Sequence, residues 1–186
     1  VNTIDDLNMD SVALTEHGNL FSVIPYYKSA KKAGVKPIIG CETYVAVVSR
    51  FEKKARSDGG WGNNHLVLLA QNYTGYQNLM KLVTHGYLEG FYYRPRIDVD
   101  LLKEHSEGLI CLSGCLKGEI PERMIKDDWK GAKDAALRFA EIFEDRFYLE
   151  VQNHGIPDEI QNIKNMKKLS SELNLPMVAT NDAHYA

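Results

Sequence analysis

At 186 residues, 44% hydrophobic and 25% charged, the chain has the length and composition of one globular domain with a substantial core. A formal net charge of −3 argues against a surface that grips nucleic acid by charge alone, because phosphate contacts need clustered Lys and Arg. Cys41, Cys111 and Cys115 have no CxxC spacing, and no apolar run nears the ~18 residues of a membrane span, so free thiols, a cytoplasmic location and no membrane are expected.

Val1 to Met9, with apolar Ile4, Leu7 and Met9 and no capping residue ahead of them, reads as the tail of a helix. A strand is expected over 11–15, then a helix from Leu20 to Ala33 that stops at Gly34. Two short strands follow at 37–39 and 43–48. The segment 50–64, centred on Ser57-Asp58-Gly59-Gly60, reads as a flexible hairpin excursion into a strand at 65–70. Helices are expected near 74–86, 119–126, 129–144 and 157–173, with strands at 108–112, 147–151 and 176–180. Strands alternating with helices give an α/β architecture, and nothing divides residues 1–186 into more than one domain.

In α/β folds function collects beyond the carboxyl ends of strands. There the sequence places Glu16 and His17, Cys41 and Glu42, Cys115, His154, and Asp182 with His184. Each has an ordinary alternative. Cys41 and Cys111 suit a core, His85 and His105 a surface, Glu16 the start of a helix, and Asp182 a turn. Taken together, His, Glu, Asp and Cys at one sheet edge are donors that Zn, Mn or Fe accept, and Asp182-x-His184 puts two in one loop.

Several segments resemble the PHP (polymerase and histidinol phosphatase) domains of bacterial replicative polymerases. They are ALTEHGNLF at 13–21, GVKPIIGCETYV at 34–45, HLVLLAQN at 65–72, NLMKLVTHGYLEGFYYRPRID at 78–98, LSGCLKGEIP at 112–121 and ATNDAHY at 179–185. The 78–98 and 112–121 segments are those of the DNA polymerase III alpha branch, and the resemblance covers essentially the whole chain.

The resemblance implies a distorted (β/α)7-type barrel with two or three Zn or Mn ions in its mouth, held by His17, Glu42, His65, Cys115, Asp182 and His184. His65 opens its strand, and the reversal of the chain through the hairpin excursion accounts for that. The family's Asp before His17 is Glu16 here, which is therefore expected near the site without being a ligand. Arg94, Arg96 and His154 are candidates for contacting phosphate or supporting the ligands, with structural salt bridges or hydrogen bonds as the alternative.

Family members begin with a His-x-His strand and a further acidic ligand, none of which is in this sequence. The expectation is thus a barrel without its first strand, with partial metal occupancy and little activity in the chain alone. For the intact polymerase, which would act on DNA primer-template with the other polymerase III subunits, the resemblance implies metal-dependent phosphodiester hydrolysis, that is, 3′-to-5′ proofreading. The rival reading is a metal-stabilised structural module that docks a separate proofreading exonuclease subunit.

Overall fold

The computed structural model describes Leu7, residues 9–54 and residues 62–184. Apart from Leu7 and Met9, the helix tail expected at the start lies outside the described residues, as does the Ser57–Gly60 centre of the excursion. The elements are β1 (Ser11–Leu14), α1 (Val23–Lys32), β2 (Lys36–Ala46), β3 (Asn63–Ala70), α2 (Tyr73–Leu88), β4 (Arg96–Ile97), α3 (Val99–Glu104), β5 (Leu109–Leu112), α4 (Glu119–Ile125), α5 (Trp129–Phe143), β6 (Phe147–Val151), α6 (Pro157–Leu173) and β7 (Met177–Ala179).

The strands form one mixed sheet in the order β1-β2-β3-β5-β6-β7, with β4 also pairing β2. β3 runs antiparallel to both β2 and β5, and the remaining pairs are parallel. The sheet curls into a half-barrel. His17, just past β1 at one end of this order, and His184, just past β7 at the other, have ring centroids 5.8 Å apart. The α/β class expected from the alternating pattern is therefore the one observed.

Two expected strands, 37–39 and 43–48, are a single strand, β2. Gly40 lies within β2, where a Cβ would meet Leu69 Cδ2 at 2.6 Å and the Leu68 carbonyl at 2.7 Å. It permits close backbone approach and does not end the strand. α3 was not anticipated, although Asp98 caps it by accepting a hydrogen bond from Leu101 N at 3.1 Å. The Arg50 end of the excursion is held by Asp98 at 2.9 Å and Glu89 at 2.6 Å.

Alternation along β2 and β3 divides the sheet into two faces. Cys41, Val45, Leu66 and Leu68 point into the core with Leu79, Leu82, Phe139, Phe143 and Phe147. Cys111 is fully buried there too, so both cysteines assigned to a core are in it. Each large apolar side chain so buried contributes ~1.5–3 kcal/mol, and this packing holds the opposite face, which carries Glu42, Tyr44 and His65, in fixed register.

Candidate metal centre

Glu42 pairs across the sheet with Val67, and Tyr44 with His65. Glu42 and His65 are thus diagonal neighbours on one face, a spacing long side chains can bridge. Because β3 is antiparallel to β2, a residue near the start of β3 lies beside one near the end of β2. That is why the carboxyl-end rule fails for His65.

His17 reaches the same point from the other edge of β2. Glu42 N donates to Glu16 O at 3.0 Å and Gly18 N to Glu42 O at 2.9 Å, extending the β1–β2 ladder past the end of β1. Gly18 has φ +67°, and a Cβ on it would come within 2.7 Å of Pro95 and 3.0 Å of the Tyr44 ring. Only glycine fits that turn without strain.

One ligand atom from each of His17, Glu42 and His65 falls within 4.8 Å of the others. His65 Nδ1 hydrogen-bonds Glu42 Oε1, and His17 Nε2 is 3.6 Å from Glu42 Oε2. Burial by itself would push the Glu42 carboxyl up; the hydrogen bond from His65 and the charges of His65, His17 and His184 outweigh it and hold the group below the ordinary carboxylate range.

Cys115 Sγ lies 3.8 Å from His65 Nδ1. Its turn is fixed against β3, His65 N donating to Lys117 O at 3.0 Å and Gly118 N to Cys115 O at 2.8 Å. Burial, reinforced by the negative charges of Glu42, Asp182 and Glu150 and partly offset by a backbone hydrogen bond at Lys117, pushes the Cys115 thiol up to about 11. The same negative surroundings favour a cation beside it.

His184 Nδ1 donates to the Asp182 carbonyl at 2.9 Å. A carbonyl can only accept, so Nδ1 carries a proton and Nε2 is the ring nitrogen that the neutral ring would offer to a metal. Asp182 adopts φ +44°, a left-handed turn that carries His184 back toward His17.

The four accessory candidates divide by what they touch. Glu16 turns away from the triad and accepts hydrogen bonds from Ser22 N at 2.9 Å and Ser22 Oγ at 2.8 Å, at the head of α1. Arg96 does not face the site, which corrects the phosphate-contact reading. It is 1% exposed, and its guanidinium donates to the carbonyls of Gly90 at 3.0 Å, Arg50 at 3.2 Å and Glu52 at 3.1 Å. Arg94 is exposed, with its guanidinium carbon 5.5 Å from the centroid of the Tyr44 ring. Tyr44 in turn stacks on His17 at 6.0 Å and meets His65 edge-on at 5.2 Å.

His154 uses both ring nitrogens, Nδ1 to Glu159 Oε1 at 2.8 Å and Nε2 to Asn181 O at 2.6 Å. Two acceptors favour the doubly protonated ring, so the bond to Glu159, then that to Asn181, holds its pKa above the usual histidine value. His154 therefore anchors the loop that carries Asp182 and His184.

Sequence reasoning missed Glu150, a buried carboxylate on β6. It accepts from Gly114 N at 3.0 Å and Thr180 Oγ1 at 2.5 Å, and so ties the Cys115 turn to the end of β7. Burial pushes its carboxyl up, with Glu42 adding to the effect; bonds from Thr180, Gln152 and Gly114 offset part of it. The signal available was an acidic residue inside the apolar run FYLEV, a position where an unpaired carboxylate is costly.

The PHP domain family profile matches residues 1–154. The DNA polymerase III subunit alpha of Borreliella burgdorferi is 52% identical over 178 residues, covering 96% of this chain and 15% of that protein. That of Thermus aquaticus is 49% identical, covering 94% of this chain and 14% of its own length. That of Treponema pallidum is 42% identical, covering 100% and 16%. The chain thus spans about 15% of the length of these curated relatives. Among solved structures, a proposed metal-dependent phosphoesterase from Bifidobacterium adolescentis matches with a TM-score of 0.54 at 10% identity, covering 100% of this chain and 81% of that one. That likeness is one of fold.

Proposed function

Since the chain belongs to the PHP domain family, we propose that it is the PHP domain of a cytoplasmic replicative DNA polymerase III alpha subunit and a metal-dependent phosphodiesterase that removes nucleotides from the 3′ end of a DNA strand. The observation that carries this reading is the convergence of His17, Glu42 and His65 within 4.8 Å, with Cys115, Asp182 and His184 around them.

The donor set fits divalent metal. Glu42 is a buried carboxylate facing two imidazoles and Cys115 offers sulfur, a combination suited to Zn, while the carboxylates and imidazoles also suit Mn. When bound, such ions lower the pKa of water, orient the phosphate and stabilise charge on the leaving oxygen.

The protein's own groups do the remaining work. Glu42 and His65 hold each other in one orientation across β2 and β3. His184 keeps Nε2 directed away from its own backbone hydrogen bond, and His154 and Glu150 fix the loops that carry Cys115, Asp182 and His184. Arg94, over Tyr44, offers a planar cation to a phosphate oxygen at the edge of the site.

The test is digestion of a 3′-mismatched primer by the alpha subunit that carries this chain, with Mn²⁺ or Zn²⁺. His65→Ala and Asp182→Asn should abolish it. Digestion at the unaltered rate by both variants would overturn the proposal and leave a purely structural role for the domain.

A further inference from the structure

An aromatic track runs over the surface to this site. Phe21 lies in the turn after His17 and is 77% exposed, with its backbone N–H held by Asn19 Oδ1 at 3.0 Å. Its ring is 6.2 Å from that of Tyr87 on α2, and Tyr87 stacks on Phe91 at 6.1 Å with an interplanar angle of 28°. Tyr87 and Phe91 are 38% and 48% exposed.

Pro95 joins this track to the metal centre. A Cβ on Gly86, next to Tyr87, would come within 3.4 Å of Pro95, and one on Gly18, next to His17, within 2.7 Å of it. Beyond Pro95 stands Tyr44, against both His17 and His65, with the Arg94 guanidinium over its ring. Among the described residues no carboxylate pairs with Arg94.

We infer that Phe21, Tyr87 and Phe91 form a stacking platform for the unpaired bases of a single-stranded nucleic acid whose backbone passes Arg94 into the carboxylate–histidine site. The inference rests on the hydrolytic reading of that site. Aromatic faces accept any base and bind without net positive charge, which suits a chain whose formal charge is −3. A phosphodiester backbone complements the two features at the end of the track, an exposed guanidinium with no partner carboxylate among the described residues and a set of metal ligands. A purely apolar protein partner would use neither.

The chemistry sets a salt signature. A protein that holds a strand through many phosphates loses affinity steeply with salt, whereas one phosphate contact through Arg94 gives a slope of log K against log salt of about −0.7 for a single strand.

The test is fluorescence anisotropy of this chain with a labelled ten-residue oligothymidylate in chelator, where no hydrolysis occurs. The unaltered chain should bind with that shallow slope. Tyr87→Ala and Phe91→Ala should each weaken binding by about tenfold, Tyr87→Phe should not, and all three should melt close to the unaltered chain because the rings are exposed. Absence of binding by the unaltered chain, or equal binding by the alanine variants, overturns the platform. Ring-dependent binding without metal-dependent cleavage by the alpha subunit that carries this chain overturns the hydrolytic reading alone. Cleavage indifferent to Tyr87 and Phe91 overturns the platform alone.

Discussion

Replacing Glu150 separates its hydrogen-bonding role from its charge. In Glu150→Ala, the buried Gly114 N–H loses its acceptor, at ~1–3 kcal/mol. The Thr180 hydroxyl also loses its partner, but Thr180 is only partly buried and can turn to water, so the sum is about 2–3 kcal/mol. At about 2–4 °C per kcal/mol for a chain of this size, the melting temperature should fall by about 4–12 °C.

The same change frees the Cys115 turn and the end of β7 from each other. Metal affinity should drop by about 10–100-fold, as is usual when a partner of the ligands is lost. Glu150→Gln should recover most of both, since its amide oxygen can accept from Gly114 N and its amide nitrogen can donate to Thr180 Oγ1. Thermal melts followed by circular dichroism and metal titration by calorimetry read the two effects. An unshifted melt in the alanine variant would refute the bridge. A glutamine variant as damaged as the alanine one would show that charge, and not hydrogen bonding, is what Glu150 contributes.

Arg96→Met should cost about 3 kcal/mol or more in chemical denaturation, because three carbonyls lose a charged donor; the exposed Arg94→Met should leave stability nearly unchanged, and similar losses from the two would contradict their assigned places. The His154–Glu159 pair predicts a pH window. Glu159 is held below its ordinary 4.5, where burial opposes the shift and the bonds from His154 outweigh it, so its contribution is present above 4.5 and lost as pH falls through the depressed value. His154 is held above its ordinary 6.5, so its contribution is complete below 6.5 and lost as pH rises through the elevated value. The melting difference between the unaltered chain and His154→Gln should therefore be largest between these two ordinary values, and a difference constant from pH 4 to pH 9 would contradict the pairing.

Much of the fold was legible because local pattern and tertiary placement agree. The strand at 147–151 and the helix at 157–173 match the expected bounds, each having clear turn or capping residues at its ends. The strands expected at 37–39 and 43–48 are one, since close strand approach at Gly40 lets β2 run through unbroken. β4 and α3 were missed because a two-residue strand and a six-residue helix are too short to show a period.

At the site, His17 followed from the end of β1, whereas Glu42, expected beyond a strand end, lies inside β2. His65 did not follow from a strand end, because its position depends on the antiparallel register of β3, which only long-range pairing fixes. Arg96 next to Arg94 is the plainest limit of sequence reading. Two arginines two residues apart take opposite roles, one buried under three carbonyls and one lying over Tyr44, and nothing in Arg-Pro-Arg distinguishes them.

The central claim is that the chain's own carboxylate–histidine cluster binds divalent metal. Calorimetric titration of the metal-free chain with Zn²⁺ and with Mn²⁺ tests it most directly. We predict saturable binding with proton release, weakened in Glu42→Gln and His65→Ala by more than the about 10–100-fold typical of losing a supporting partner. Binding of equal strength in both variants, or no binding by the unaltered chain, would contradict the account.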